Sequence, residues 1–254
     1  MPNGPILILL RHAGRLAVVI LFALRAAAGL QLPTNMSRSD RESALRILGV
    51  NTSPKVLSDP FPLGGYAGFE IGVSLENLPT QQIGRLGDGV PAAQQDATIT
   101  KVSLGKGLYE DVDFFFSFTP YQTQKAEFTE YGGILRWCLY QGAQLPFSIA
   151  LNGQMSGVNV QDKLVAQTFG LDLVSGLDVS DVGLFAGFGP VRAQGSFLGG
   201  ESGVTDGDKS SQTAEVTGFH ELIGASVRFR GAFIAVQVDR YSDTVLSGKF
   251  GLRF

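Results

Sequence analysis

Few residues in this sequence could do acid–base or nucleophilic chemistry. Two histidines occur in 254 residues, His12 and His220. His12 falls in a stretch that reads as a leader, which leaves His220, in "FHELIG", as the candidate imidazole. An imidazole activates a hydroxyl when a serine and an orienting carboxylate stand beside it. Position 222, where an H-x-S spacing would place that serine, is Leu222, and Glu221 falls on the opposite face of a strand from His220. A histidine without orienting partners lacks the geometry for catalysis, so His220 reads as a hydrogen-bonded residue near an outer strand end. Cys138 stands alone, which excludes an intramolecular disulfide and a Cys-rich metal site, and it reads as a small packing residue. The run "GGESGVTDGDKSS", with Asp206 and Asp208, lacks the full ligand spacing of an EF-hand and reads as solvated surface. The expectation is no enzyme, no cofactor and no metal site.

The informative polar residues are charges set among small and apolar neighbours. Glu70, Lys101, Arg136, Asp172, Arg228 and Lys249 each lie opposite the apolar face of an alternating segment. An unpaired buried charge is costly, so an interior lined by them requires pairing. The expected pairs join Arg136 and Arg228 to Glu70 or Asp172.

The segments that must position these charges have a period of two. In "YAGFEIGVSLE", Ala67, Phe69, Ile71, Val73 and Leu75 share one face, and Gly68, Glu70, Gly72 and Ser74 the other. The same alternation runs through "TITKVSL", "VDFFFSF", "YGGILRWCLY", "PFSIALNG", "VAQTFGLDLV", "VGLFAGFG", "FHELIGASVRF", "AFIAVQVDR" and the closing "SGKFGLRF". That makes about ten strands, an even number, as expected of an antiparallel up-and-down transmembrane β-barrel. Charged residues are 17% of the chain, against about 25% in average soluble chains. Gly numbers 33 and Phe 18, which suits tight turns and an apolar belt, and a net charge of −3 gives no basic surface for nucleic acid. A soluble sandwich or lipocalin-like barrel would also alternate. There the polar face would meet bulk water, where so many glycines serve little purpose; in a crowded lumen both glycine and paired charge fit. Tyr66, Tyr131, Trp137, Phe147, Phe229 and Phe233 near strand ends suit aromatic girdles.

Three domains follow. Residues 1–28 carry Arg11 and Arg15, the apolar run "LAVVILFAL" and a small-residue A-x-A site ending at Ala28, as a secretory leader does. Residues 29–63 read as a periplasmic linker with one short helix. Ser39 and Glu42 form S-x-x-E, a capping box, Ala44, Leu45 and Leu48 could share a face, and Gly49 is placed to end the helix. That helix reads as lying against the periplasmic end of the barrel rather than as a plug entering it. Residues 64–254 form the barrel. Connections mostly alternate long and short, from "NLPTQQIGRLGDGVPAAQQD" to a turn as small as "RG". Such alternation puts both termini on the periplasmic side.

The closing strand then gains meaning. Phe250, Leu252 and Phe254 place apolar side chains at alternate positions up to a C-terminal Phe. With the leader, this resembles the C-terminal β-signal of Gram-negative outer-membrane β-barrel proteins. The resemblance implies a bacterial outer-membrane location, contact with outer-membrane lipid, and recognition by the barrel-assembly machinery during insertion. It implies how the chain is inserted rather than what it does. The expected function is a monomeric structural or surface-interaction barrel with loops exposed outside. The alternative is a narrow porin-like passive channel for small solutes or ions, with an outer-membrane enzyme well behind.

Overall fold

The computed structural model describes residues 30–89, 96–120, 128–142, 146–200, 203–205 and 211–254. The leader reading of residues 1–28 and the loop residues Asp206 and Asp208 lie outside them. Ten strands form the barrel: β1 (Phe69–Leu78), β2 (Ala97–Tyr109), β3 (Val112–Phe118), β4 (Phe128–Gln141), β5 (Phe147–Val160), β6 (Leu164–Val179), β7 (Val182–Phe197), β8 (Gln212–Phe229), β9 (Ala232–Arg240) and β10 (Thr244–Arg253). Each pairs antiparallel with its sequence neighbour, and β1 pairs with β10, so the sheet closes with no free edge. Closure is what a sheet in lipid requires, because unpaired backbone groups find no water there.

Alternation fixes which face is which. Along β1, Glu70, Gly72, Ser74 and Glu76 are buried inside, while Phe69, Ile71 and Leu75 are exposed. The exposed set continues around the wall as Phe114, Phe116, Leu135, Leu171, Leu184, Ile234 and Val236. A continuous outward apolar surface on a closed barrel is a lipid-facing belt. Trp137, Tyr131, Tyr66 and Phe229 are exposed on that surface, whereas Phe233 is 2% exposed and points into the lumen. Phe233 was expected in the girdle; as the second residue of β9 it lies one register step onto the inner face.

The two ends differ. At the turn end, β2–β3, β6–β7 and β8–β9 join through two residues each, and β1 begins beside the C-terminus. Arg230 and Gly231 both have positive φ, as a tight hairpin turn demands. The loop end carries the long connections, but residues 161–163 and 241–243 there are also tight. Most of "QMSGVNVQD", expected as a loop, belongs to β5, because the pattern of buried alternate residues runs on to Val160. Tyr66 and Ala67, expected in the first strand, form a 3-10 turn at Gly65–Ala67.

The N-terminal segment is where expectation and structure part. Helix α1 (Arg38–Leu45) is capped by Ser37 with Asp40, not by Ser39 with Glu42, and it runs on through a π-type turn at Arg46–Val50. Gly49 therefore does not end it. Ala44, Leu45 and Leu48 are fully buried. They do not lie against the end where β1 begins beside the C-terminus. They pack with Ile47 and Val50 onto Val158, Ala166, Ala193, Phe197 and Val216, the inner wall of β5–β8 at the loop end. From there residues 51–63 run down the lumen to the turn end. Asn51 meets Asp243 at the loop end, and Leu63 meets Asp113 near the opposite end. Residues 51–63, expected as part of a periplasmic linker, instead form a plug in the lumen.

Candidate functional site: the filled lumen

The lumen contains three groups of buried ions, two bonded to the plug and the third beside it. Nearest the loop end, Glu76 of β1 lies 2.7 Å from Lys55 of the plug and 3.2 Å from Lys101 of β2. Lys101 also reaches Glu130 of β4 at 3.2 Å and donates to the Thr52 carbonyl at 2.7 Å. Lys55 donates further to the carbonyls of Asn51 and Ser53.

Nearer the turn end, Arg136 donates from Nε and Nη2 to Asp113 at 3.0 and 2.8 Å, and to the Asp59 carbonyl at 2.9 Å. Its guanidinium lies over Phe115, 4.7 Å from the ring centre. Glu70 accepts from Lys249 at 2.6 Å and from Arg253 at 2.7 Å, and Lys249 donates to the Val56 carbonyl at 2.9 Å. Asp59 of the plug faces Arg253 at 3.5 Å and Arg228 at 3.8 Å. Arg228 pairs more closely with Asp178.

The third group surrounds His220. Its Nδ1 is 2.9 Å from Asp172 and its Nε2 is 2.9 Å from Asp239. Both ring nitrogens thus lie within hydrogen-bond distance of a carboxyl group, the direction at each being set by the tautomer. Gln154 donates to Asp172 at 3.0 Å, and Tyr241 stacks on the imidazole at 4.1 Å, nearly parallel. A cavity of about 20 Å³ beside this group is lined by Asn152, Gln154, Asp172, His220 and the plug residues Lys55 to Ser58. That is room for about one water. No serine or cysteine touches the imidazole among its described hydrogen bonds, and both ring nitrogens are occupied by carboxylates.

Of the six charges expected in the lumen, Glu70, Lys101, Arg136, Asp172 and Lys249 are buried there, and Arg228 lies half-buried near the turn end. The expected pairing differs: Arg136 takes Asp113, Arg228 takes Asp178 and Asp59, Glu70 takes Lys249 and Arg253, and Asp172 takes His220. Strand adjacency accounts for Arg136 with Asp113 and for Glu70 with Lys249 and Arg253, whereas Asp172–His220 and Arg228–Asp178 each reach across β7. Asp113 and Arg136 face each other in the β3–β4 register, whereas Glu70 and Arg136 are separated by β2 and β3. Glu76, Glu130, Asp113 and Asp239 were not singled out, although each stands at an inward alternate position. Lys55 and Asp59 gave no periodic signal.

The inner glycines make room for the plug. A Cβ on Gly132 would come 2.9 Å from Pro54, and one on Gly176 would overlap Pro60. At the other end of the chain, Phe254 exchanges both backbone hydrogen bonds with Phe69, at 2.9 and 3.1 Å, so the terminal residue is held in the closing ladder.

No family model matches the sequence, and no curated protein does. Among solved structures it is similar to Ail, the attachment invasion locus protein of Yersinia pestis, at 11% identity, with 75% of this chain and 99% of that one covered and a TM-score of 0.33. It is also similar to the N-terminal β-barrel domain of Pseudomonas aeruginosa OprF, at 12% identity over 75% and 99% of the two chains, TM-score 0.34. Against the KdgM porin the figures are 7%, 73% and 98%, TM-score 0.35. The fold stands on the strand pairing itself. By its closed sheet and apolar outer belt, the chain is a transmembrane β-barrel, its lumen filled by its own N-terminal segment.

Proposed function

We propose that the protein is a structural or surface-interaction barrel that is closed at rest, with its loop end facing outward. The observation that carries this reading is the plug. A ten-stranded wall leaves a narrow lumen in any case, and residues 51–63 occupy it with buried ion pairs and main-chain acceptors. A permanently open passive channel needs a continuous wet path along the axis that residues 51–63 occupy. The two-residue turns at the end where β1 and β10 meet support a periplasmic position for that end.

Two measurements test the reading. Liposomes carrying the refolded protein should swell in a small sugar no faster than empty ones. In cells, a cysteine at exposed Gln81 on the loop end should react with an impermeant maleimide in a Cys138→Ser background. A cysteine at Ser180 on the turn end should react only after permeabilisation. Rapid swelling would remove the closed barrel, and reversed labelling would remove the outward loops.

A further inference from the structure

We infer that the plug is displaceable and that its withdrawal opens a cation-selective passage through the barrel. This rests on the membrane-barrel reading and goes beyond the closed resting state. The wall's charges are paired with one another. Lys101 has Glu76 and Glu130, Arg136 has Asp113, Lys249 and Arg253 share Glu70, and His220 has Asp172 and Asp239. Every one of these bridges joins strand to strand and survives removal of the plug.

The plug contributes little that water could not replace. Its ionic ties are Lys55 to Glu76 and Asp59 to Arg253 and Arg228. Its other polar ties to the wall include carbonyl oxygens of Thr52, Val56 and Asp59, which accept from wall cations. Withdrawal would exchange these carbonyls for water, a swap of modest net cost. A single extended chain occupies a passage on the order of 5 Å across, wide enough once emptied for small ions. With Asp178 and the half-buried Arg228 and Arg253 included, the strand faces lining the lumen carry seven carboxylates against five Lys and Arg side chains among the described residues. Acidic linings favour cations.

What holds the plug is apolar and local. Leu45, Ile47, Leu48 and Val50 pack against the inner wall at the loop end. The latch is therefore at that mouth, and the polar thread below it follows.

The test uses the full chain in planar bilayers with potassium chloride as the probe. A Cβ at Gly49 would lie 3.4 Å from the Cβ of Ala193, near the ~3.8 Å of a disulfide. G49C/A193C in a Cys138→Ser background should be silent when oxidised and show cation-selective openings when reduced. Leu48→Asp puts a charge into the latch and should raise open time by on the order of tenfold or more. Heat-modifiability on gels confirms that each barrel is folded. Equal behaviour of the oxidised and reduced forms, silent or conducting, overturns the inference, whether or not Leu48→Asp folds. Folded but silent protein in both forms leaves the closed barrel standing; failure of all forms to insert would overturn the barrel reading itself.

Discussion

Lys55 Nζ and Glu76 Oε2 lie 2.7 Å apart, with both side chains about 1% exposed, and this contact ties the plug to the first strand of the wall. The partners are not equivalent. Glu76 also holds Lys101, and Lys101 keeps Glu130. Lys55→Met should therefore cost about 1–3 kcal/mol, since Glu76 retains a partner. Glu76→Leu leaves Lys55 buried without a carboxylate and should cost more, about 3–5 kcal/mol. Urea unfolding of the two variants in the same detergent checks the order; a smaller loss for Glu76→Leu would contradict it.

Arg136 and Arg228 make a second contrast. Arg136 is 1% exposed and donates twice to Asp113 Oδ2, whereas the Arg228 side chain is 29% exposed at the turn end. Arg136→Leu should lower the melting temperature substantially, by the equivalent of about 3–5 kcal/mol, and Arg228→Leu by about 1 kcal/mol or less after allowance for solvent. Thermal melts followed by heat-modifiability separate them.

The helix cap carries a pH dependence. Ser37 Oγ donates to Asp40 Oδ2 at 2.7 Å and holds that carboxyl below the usual range; partial burial opposes this, and the Ser37 backbone N–H adds to it. A carboxylate whose folded pKa is depressed stabilises α1 above its unfolded pKa, and that stability is lost as pH falls through the folded value. Amide protection in α1 should thus hold at neutral pH and decline below about pH 4. Ser37→Ala should remove about 1 kcal/mol of helix stability together with most of that pH dependence. Hydrogen exchange of the wild type and variant at two pH values is the measurement; an unchanged acid response in Ser37→Ala would count against it.

Steric access by the plug depends on Gly176. A Cβ there overlaps Pro60, so Gly176→Ala should push the segment off the β6 wall at a cost of about 1–3 kcal/mol. Limited proteolysis should cut residues 51–63 faster than in wild type while the β-sheet circular dichroism stays unchanged. Equal protection would mean that the segment accommodates the methyl group.

Phe254 should matter more to assembly than to folding. Its backbone closes the β1–β10 ladder through Phe69, but its ring is 72% exposed. Phe254→Asp should reduce outer-membrane yield in cells while refolding in detergent nearly as well as wild type, since one ring of the apolar belt is lost. Equal cellular yield would remove the β-signal reading.

The strands were legible because period-two alternation is local: Glu70, Gly72 and Ser74 declare an inner face without reference to any other segment. Pairing was not, because it depends on register between distant strands. His220 finds Asp172 and Asp239, 48 and 19 residues away, only once β6, β8 and β9 are aligned. Phe233 was misread for the same reason in miniature, since one step of register separates a girdle ring from a lumen ring. The plug was hidden more deeply. "SPKVLSDPFP" has no period, and its prolines read as linker although they fill gaps left by Gly132 and Gly176. The surplus of inward glycines was visible, but it reads equally as an open lumen and as room reserved for something else.

The thread through the lumen changes the parity of the chain's passage across the membrane. An even number of strands returns the polypeptide to the side on which the sheet began, so residue 68 and Phe254 share a face. Residues 51–63 add one further passage, which makes the total odd and sets residue 30 and Phe254 on opposite sides. The helix at Arg38–Leu45 must therefore cross before the last strand zips to the first, because a closed ring cannot be threaded afterwards by anything bulky.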